Sequence, residues 1–179
     1  MPERNHYEVL GVSKSATADE IHAHYLEKLH QVHPDRNIGD EDSAHERTID
    51  VVAAFRVLND PEARKRYDFR SGNPFRFDGE LPGVKLLKSK ERKEAEQRFA
   101  ESARMLKADD LVKAVEPLKV ALRLEPAYSA ASYNLALAGA LLGNANFALD
   151  VLARAIKADP KDASLARLRK AVTATFLSV

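Results

Sequence analysis

The chain has 179 residues, of which 45% are hydrophobic and 31% charged, with a formal net charge of +1 and no cysteine. Such a composition fits one ordinary soluble globular domain or two small ones, and it excludes disulfide staples, thiolate metal sites and any general electrostatic pull toward nucleic acid. The charge is uneven, with 10 Lys and Arg against 14 Asp and Glu in residues 1–70 and 18 against 13 in the rest, and all six histidines lie before residue 46, so two regions of different character are expected.

The opening MPERNHYEVLGV lacks the charged-then-apolar layout of a signal peptide, and the longest apolar run, LALAGALL at 135–142, is too short to span a bilayer. A cytoplasmic protein with no membrane span is expected. In HYEVLGV, Tyr7, Val9 and Leu10 are placed to cover the end of a helix pair. The first long helix is expected from Asp19, where Ile21, Tyr25, Leu29 and Val32 recur at spacings of four, four and three. Thr17 is its N-cap and Glu20, three residues on, completes a capping box. Pro34 ends it by disfavouring helical geometry at His33. A second helix from about Glu41 carries Val51, Ala54, Phe55 and Leu58 on one face and is expected to pack antiparallel to the first, since neither is long enough to be secure alone. Asp60 and Pro61 then read as an N-cap and first position of a short basic helix, EARKRYD.

The stretch FRSGNPFRFDGELPG, residues 69–83, holds three Gly, two Pro and three Phe and keeps neither helical nor strand period. It reads as a linker with aromatics available to dock. Beyond it, Ala114, Leu118, Ala121 and Pro126 recur 34 residues later as Ala148, Leu152, Ala155 and Pro160. A 34-residue period with small residues at fixed helix positions resembles tetratricopeptide repeats, in which each unit is a helix pair. Ala108-Asp109 and Gly143-Asn144 supply the turns within the two pairs. A last helix with Leu165, Leu168, Val172 and Phe176 on one side is expected to cap the stack.

Read together, YEVLGV, Tyr25 placed eight residues before His33-Pro34-Asp35, and AFRVLNDPEARKRYD resemble a J domain, covering roughly the first two-fifths of the chain. The resemblance implies a long antiparallel helix pair with His-Pro-Asp at its tip, flanked by two short helices. It also implies an activity: docking on an ATP-driven, DnaK-type seventy-kilodalton heat-shock chaperone and stimulating its ATPase. His33, Pro34 and Asp35 carry over as the triggering residues, with Arg36, Tyr25 and Lys28 as further docking residues. Pro34 would fix a turn that presents the Asp35 carboxylate to a partner's arginine. No chemistry occurs in this chain on that reading, and no cofactor is expected.

Two departures from the J-domain pattern stand out. The helix before His-Pro-Asp usually carries several Lys and Arg, whereas here HAHYLEKLHQV has Lys28 as its one fixed cation, and Glu27 stands where a base is common. Steering toward an acidic docking face should therefore be weaker. Thr48 also stands where Phe is frequent.

Other chemistries are less well supported by the residues. His30, His33 and Asp35 form a conceivable His/His/Asp metal set, but they straddle a proline turn, and solvated histidines are the simpler reading. The ARKR run at 63–66 reads as a solvated face rather than a nucleic-acid patch. In tetratricopeptide proteins the groove is lined by the first helix of each pair. Its candidates here are Phe99, Ala103, Tyr133 and Asn134, with Ser164 and Leu168 further on. Of the positions that clamp a carboxylate in some members, only Asn134 matches, so a more apolar or extended peptide is the expected ligand.

The sequence thus predicts an all-α chain with a J domain at 1–70, a linker at 71–87 and two tetratricopeptide-like repeats with a capping helix at 88–179. The expected function is that of a co-chaperone, with a DnaK-type chaperone at the first module and an unidentified protein or peptide at the second. The alternative is a repeat-domain adaptor with a weak or inactive J domain.

Overall fold

In a computed structural model, the structure describes residues 5–33, 37, 40–77 and 90–177. Among the described residues there are nine helices and no strand, and the chain divides into two compact units, Met1–Asp68 and Phe69–Val179. The all-α expectation holds.

In the first unit, α1 spans His6–Leu10, α2 Ala18–Val32 and α3 Glu41–Asn59, while α4, Pro61–Gly72, begins in this unit. The starts of α1, α2 and α4 are each set by a local signal. The Asn5 side chain accepts from the Tyr7 N–H, and Thr17 and Glu20 form the reciprocal capping box ahead of α2. Asp60 accepts from the Ala63 N–H at 2.7 Å in front of Pro61. α2 packs along α3, and the apolar stripe of each helix meets the other: Ile21, Val51, Ala54 and Leu58 are buried, together with Tyr7 and Leu10 from α1. The Tyr25 and Phe55 rings stack at 4.0 Å between centroids, which closes the open side of the pair.

Arg64 corrects the reading of ARKR as a wholly solvated face. Its guanidinium donates to the Tyr7 hydroxyl at 3.0 Å, to the Ala16 carbonyl at 2.8 Å and to the Lys14 carbonyl at 3.0 Å. The Tyr7 hydroxyl in turn donates to Asp68 at 2.8 Å. Burial pushes the Tyr7 hydroxyl pKa up, and Asp68 adds to that against the opposing pull of Arg64. One arginine thereby ties the first turns of α4 to α1 and to the loop before α2.

In the second unit, α5 (Lys90–Lys107) pairs with α6 (Leu111–Leu124), and α7 (Ser129–Leu141) with α8 (Ala145–Ala158). The last helix, α9 (Ala163–Phe176), packs on α7 and α8. The 34-residue offset extends to the caps. Asp110 accepts from Lys113 N–H ahead of α6, and Asn144 accepts from Phe147 N–H ahead of α8. Just before those caps, Asp109 and Gly143 both take positive φ, 60° and 85°. Gly reaches that region without cost and Asp is among the few other residues that tolerate it. α7 is buried nearly all round, and Gly139 lets α8 approach: a Cβ there would lie 2.8 Å from the Phe147 ring.

Residues 69–77, which read as the start of a linker, belong to the core of this unit. Phe69 meets Phe176 edge-on at 4.8 Å, and Phe75 is buried in the same cluster. The α4 helix persists to Gly72 despite the missing period because Asn73 caps it: its side-chain amide donates to the Phe69 carbonyl at 2.8 Å. Pro74 cannot continue a helix. No helix among the described residues is long and apolar enough to cross a membrane.

Candidate functional sites

The first candidate site is the C-terminal end of α2. Its last carbonyls have no partner within the helix and must find donors elsewhere. Asn37 supplies two, since its side-chain amide donates to the Gln31 carbonyl at 3.1 Å and the His33 carbonyl at 2.8 Å. Thr48, on α3, bonds the Val32 carbonyl at 3.3 Å and, more closely, its own Ala44 carbonyl at 2.8 Å. A hydroxyl has one proton to share between the two. Asn37 thus holds two of the last carbonyls of α2, and Thr48 is within reach of the one between them. Sequence reading did not single out Asn37, and it treated Thr48 only as a departure. The local signal for Asn37 was its position two residues after Asp35.

His33 caps α2 with φ −58° and ψ 134°, the extended geometry that the following proline imposes, and it is exposed. Pro34, Asp35 and Arg36 lie outside the described residues. Tyr25 is half-buried against Phe55, so only part of its ring faces outward. Lys28 is also half-buried, its stem beside Gly11 at the end of α1. The outer face of α2 presents His22, Leu26 at 51% exposure, Glu27 and His30. Glu27 accepts from the Gln31 amide at 3.0 Å, so this face offers a carboxylate beside the last turn. Among the described residues, no group of three or more His, Cys, Asp or Glu is placed to hold a metal ion.

The second candidate site lies within the other unit. Phe99 stands in the core, 5% exposed, with its ring 4.8 Å from that of Tyr128, and Ala103 is half-buried one turn further along α5. Tyr133 and Asn134, adjacent on α7, converge on one residue of the 73–77 segment. Asn134 is fully buried; its side-chain oxygen accepts from the Arg76 N–H at 2.8 Å and its amide donates to the Arg76 carbonyl at 2.7 Å. The Arg76 guanidinium lies 4.3 Å over the Tyr133 ring centroid. It donates to Asp162 at 2.9 and 3.3 Å and also bonds the Ser164 hydroxyl. Burial acts to raise the Asp162 carboxyl pKa, but the hydrogen bonds from Ser164 and Arg76 outweigh it and hold the group below the usual carboxylate range. Asp162 and Ser164 sit at the start of α9, and Asp162 also caps that helix through the Ser164 N–H at 3.0 Å.

Residues 5–68 match the family model described as DnaJ domain. Three relatives are chaperone protein DnaJ from Porphyromonas gingivalis, Thermosipho melanesiensis and Deinococcus proteolyticus. The first is 50% identical over 66 residues, covering 37% of this chain and 17% of the relative. The others are 38% and 42% identical over 82 residues, each covering 46% of this chain and 21% and 24% of the relative. The matched part therefore spans less than a quarter of these relatives' length. No solved structure matches the chain. Residues 5–68 are a J domain, and the likeness carries no information on α5 to α9.

Proposed function

We propose that the chain is a co-chaperone whose J domain docks on a DnaK-type, ATP-driven chaperone and stimulates its ATPase, while the helix pairs hold a protein or peptide partner. The observation that carries this reading is the end of α2, where the Asn37 amide holds the carbonyls of Gln31 and His33, the residue that precedes Pro34 and Asp35 in the sequence. A helix end held in this way is a fixed base for a contact-triggered partner. On this reading His33, Pro34 and Asp35 trigger hydrolysis in the partner. Arg36, Tyr25 and Lys28 complete the docking face, and the chain does no bond-breaking chemistry itself. The nucleotide belongs to the partner, and the setting is the cytoplasm.

The modules are read as a J domain over 1–70 and two tetratricopeptide-like repeats with α9 as cap over 88–179, joined by residues 71–87, of which 71–77 pack within the second unit. The matching caps and turns 34 residues apart support the repeat reading. A second reading, an adaptor that works through its repeats with a weak J domain, is favoured by the outer face of α2, where exposed Leu26 and Glu27 replace the usual bases. Hydrogen exchange on the full chain, with and without an ATP-bound DnaK-type chaperone, separates the two. Protection gained over α2 and residues 33–37 supports the co-chaperone. Protection confined to α7 and α9 would place the chaperone on the repeats and leave the adaptor.

A further inference from the structure

A fully buried asparagine needs partners for its amide. Asn134 finds both in the main chain of Arg76, one accepted and one donated bond, as a neighbouring strand would. That pairing is indifferent to which residue supplies the main-chain groups. The identity of the residue is read separately, by a ring, a carboxylate and a hydroxyl that together suit a planar cation: Tyr133 beneath the guanidinium, Asp162 accepting from it twice, Ser164 beside it. Phe75 enters the apolar core on one side. On the other, Phe77 remains 43% exposed, with the Lys107 ammonium 5.1 Å from its ring centroid. An apolar segment would suffice to cover an apolar face. Main-chain pairing combined with side-chain selection by charge is instead the pattern of peptide recognition.

We propose that Tyr133, Asn134, Asp162 and Ser164 form a binding site for an extended peptide segment carrying an aromatic-arginine pair, and that Phe75-Arg76 occupies it in cis until a partner bearing such a segment takes its place. The inference rests on reading the helix pairs as a peptide-binding module and not on the identity of the chaperone. The occupant's chemistry follows from charge complementarity: Asp162 selects a cation, and the Tyr133 face favours a flat guanidinium over an ammonium. A tethered occupant competes at an effective concentration near millimolar, so a free peptide binds the intact chain weakly and binds strongly once the tethered arginine is removed.

The test uses the full chain and a fluorescein-labelled peptide of its own sequence, GNPFRFD, followed by fluorescence polarisation. Arg76→Ala is expected to bind GNPFRFD at least about tenfold more tightly than the wild-type chain. It should not bind GNPFAFD, and adding Asp162→Asn should cost at least about tenfold of the gained affinity. A helical Arg76→Ala chain that fails to bind GNPFRFD at about 1 mM overturns the proposal and leaves Arg76 as a fixed internal staple. If Arg76→Ala loses its helical circular dichroism, the wild-type chain decides: excess unlabelled GNPFRFD should remove the Tyr133 ring-current shift from the Arg76 side-chain resonances, and an unchanged shift overturns the proposal. A wild-type dimer that the peptide dissolves would assign the site to a second copy of the chain and also overturn it. ATPase stimulation measured on the same preparations keeps the two readings apart. Its loss with peptide binding intact removes only the chaperone partner, and the reverse removes only this site.

Discussion

Replacing Arg64 with alanine removes three hydrogen bonds from a charged donor, to Tyr7, Ala16 and Lys14, at 3.0, 2.8 and 3.0 Å. A bond to a charged group contributes about 1.5–3 kcal/mol when it is lost from a buried partner. The three do not add fully, because Lys14 is exposed and its carbonyl recovers water, and because the arginine itself is only half-buried. The Ala16 carbonyl and the Tyr7 hydroxyl are the groups left short of a donor. We therefore expect Arg64→Ala to destabilise the first unit by about 2–3 kcal/mol. Amide hydrogen exchange along α2 and α3 in the full chain reads this as a roughly 30- to 150-fold loss of protection. Arg66→Ala, two residues on at an exposed position, is the control and should stay within about 0.5 kcal/mol of wild type. If Arg64→Ala matches Arg66→Ala, the network is decorative and the reasoning fails.

Leu118→Ala and Leu152→Ala, equivalent and fully buried in the two helix pairs, should each cost about 2–5 kcal/mol, read as lost exchange protection in α6 to α8. A loss below about 1 kcal/mol for either would contradict a packed core there. Tyr128 has its hydroxyl pKa pushed up to about 12, by burial and secondarily by Glu96. Its contribution to stability is therefore whole below pH 10.0 and declines as pH rises toward about 12. Tyr128→Phe should flatten that alkaline loss, and ultraviolet titration should show a late phenolate that the variant lacks. Leu26→Lys with Glu27→Lys, both on the exposed face of α2, should speed association with a DnaK-type chaperone by roughly tenfold at low salt, less at high salt. An unchanged single-turnover ATPase rate counts against the steering account.

What could be read along the chain was whatever has a local cause. The Thr17–Glu20 capping box spans three residues, Asp60-Pro61 is a cap and a first turn, and the stripe Ile21, Tyr25, Leu29 and Val32 needs only the helical period. The repeat offset was visible because Ala114 and Leu118 are as fully buried as Ala148 and Leu152, 34 residues on. Groups whose partners are distant in sequence were not legible. Arg64 bonds carbonyls 48 and 50 residues away, and Arg76 meets Asn134 and Asp162 at separations of 58 and 86. A charge run or an aperiodic segment looks solvated until its partner is placed. The same holds for the groove candidates: Asn134 was legible as a polar residue at a telling position, whereas the residue it would bind was not. At the first site, pattern alone singled out His33, Pro34 and Asp35 as candidates, while Asn37 and Thr48, whose side chains reach the last carbonyls of α2, emerged only from their contacts.

The central claim is that the J domain acts through His33-Pro34-Asp35 on an ATP-driven chaperone, and single-turnover ATP hydrolysis by a DnaK-type chaperone tests it most directly. The full chain should raise that rate, and Asp35→Asn or His33→Gln should abolish the increase while leaving the helical circular dichroism unchanged. Equal stimulation by wild type and both variants, or none by any of them, would contradict the account.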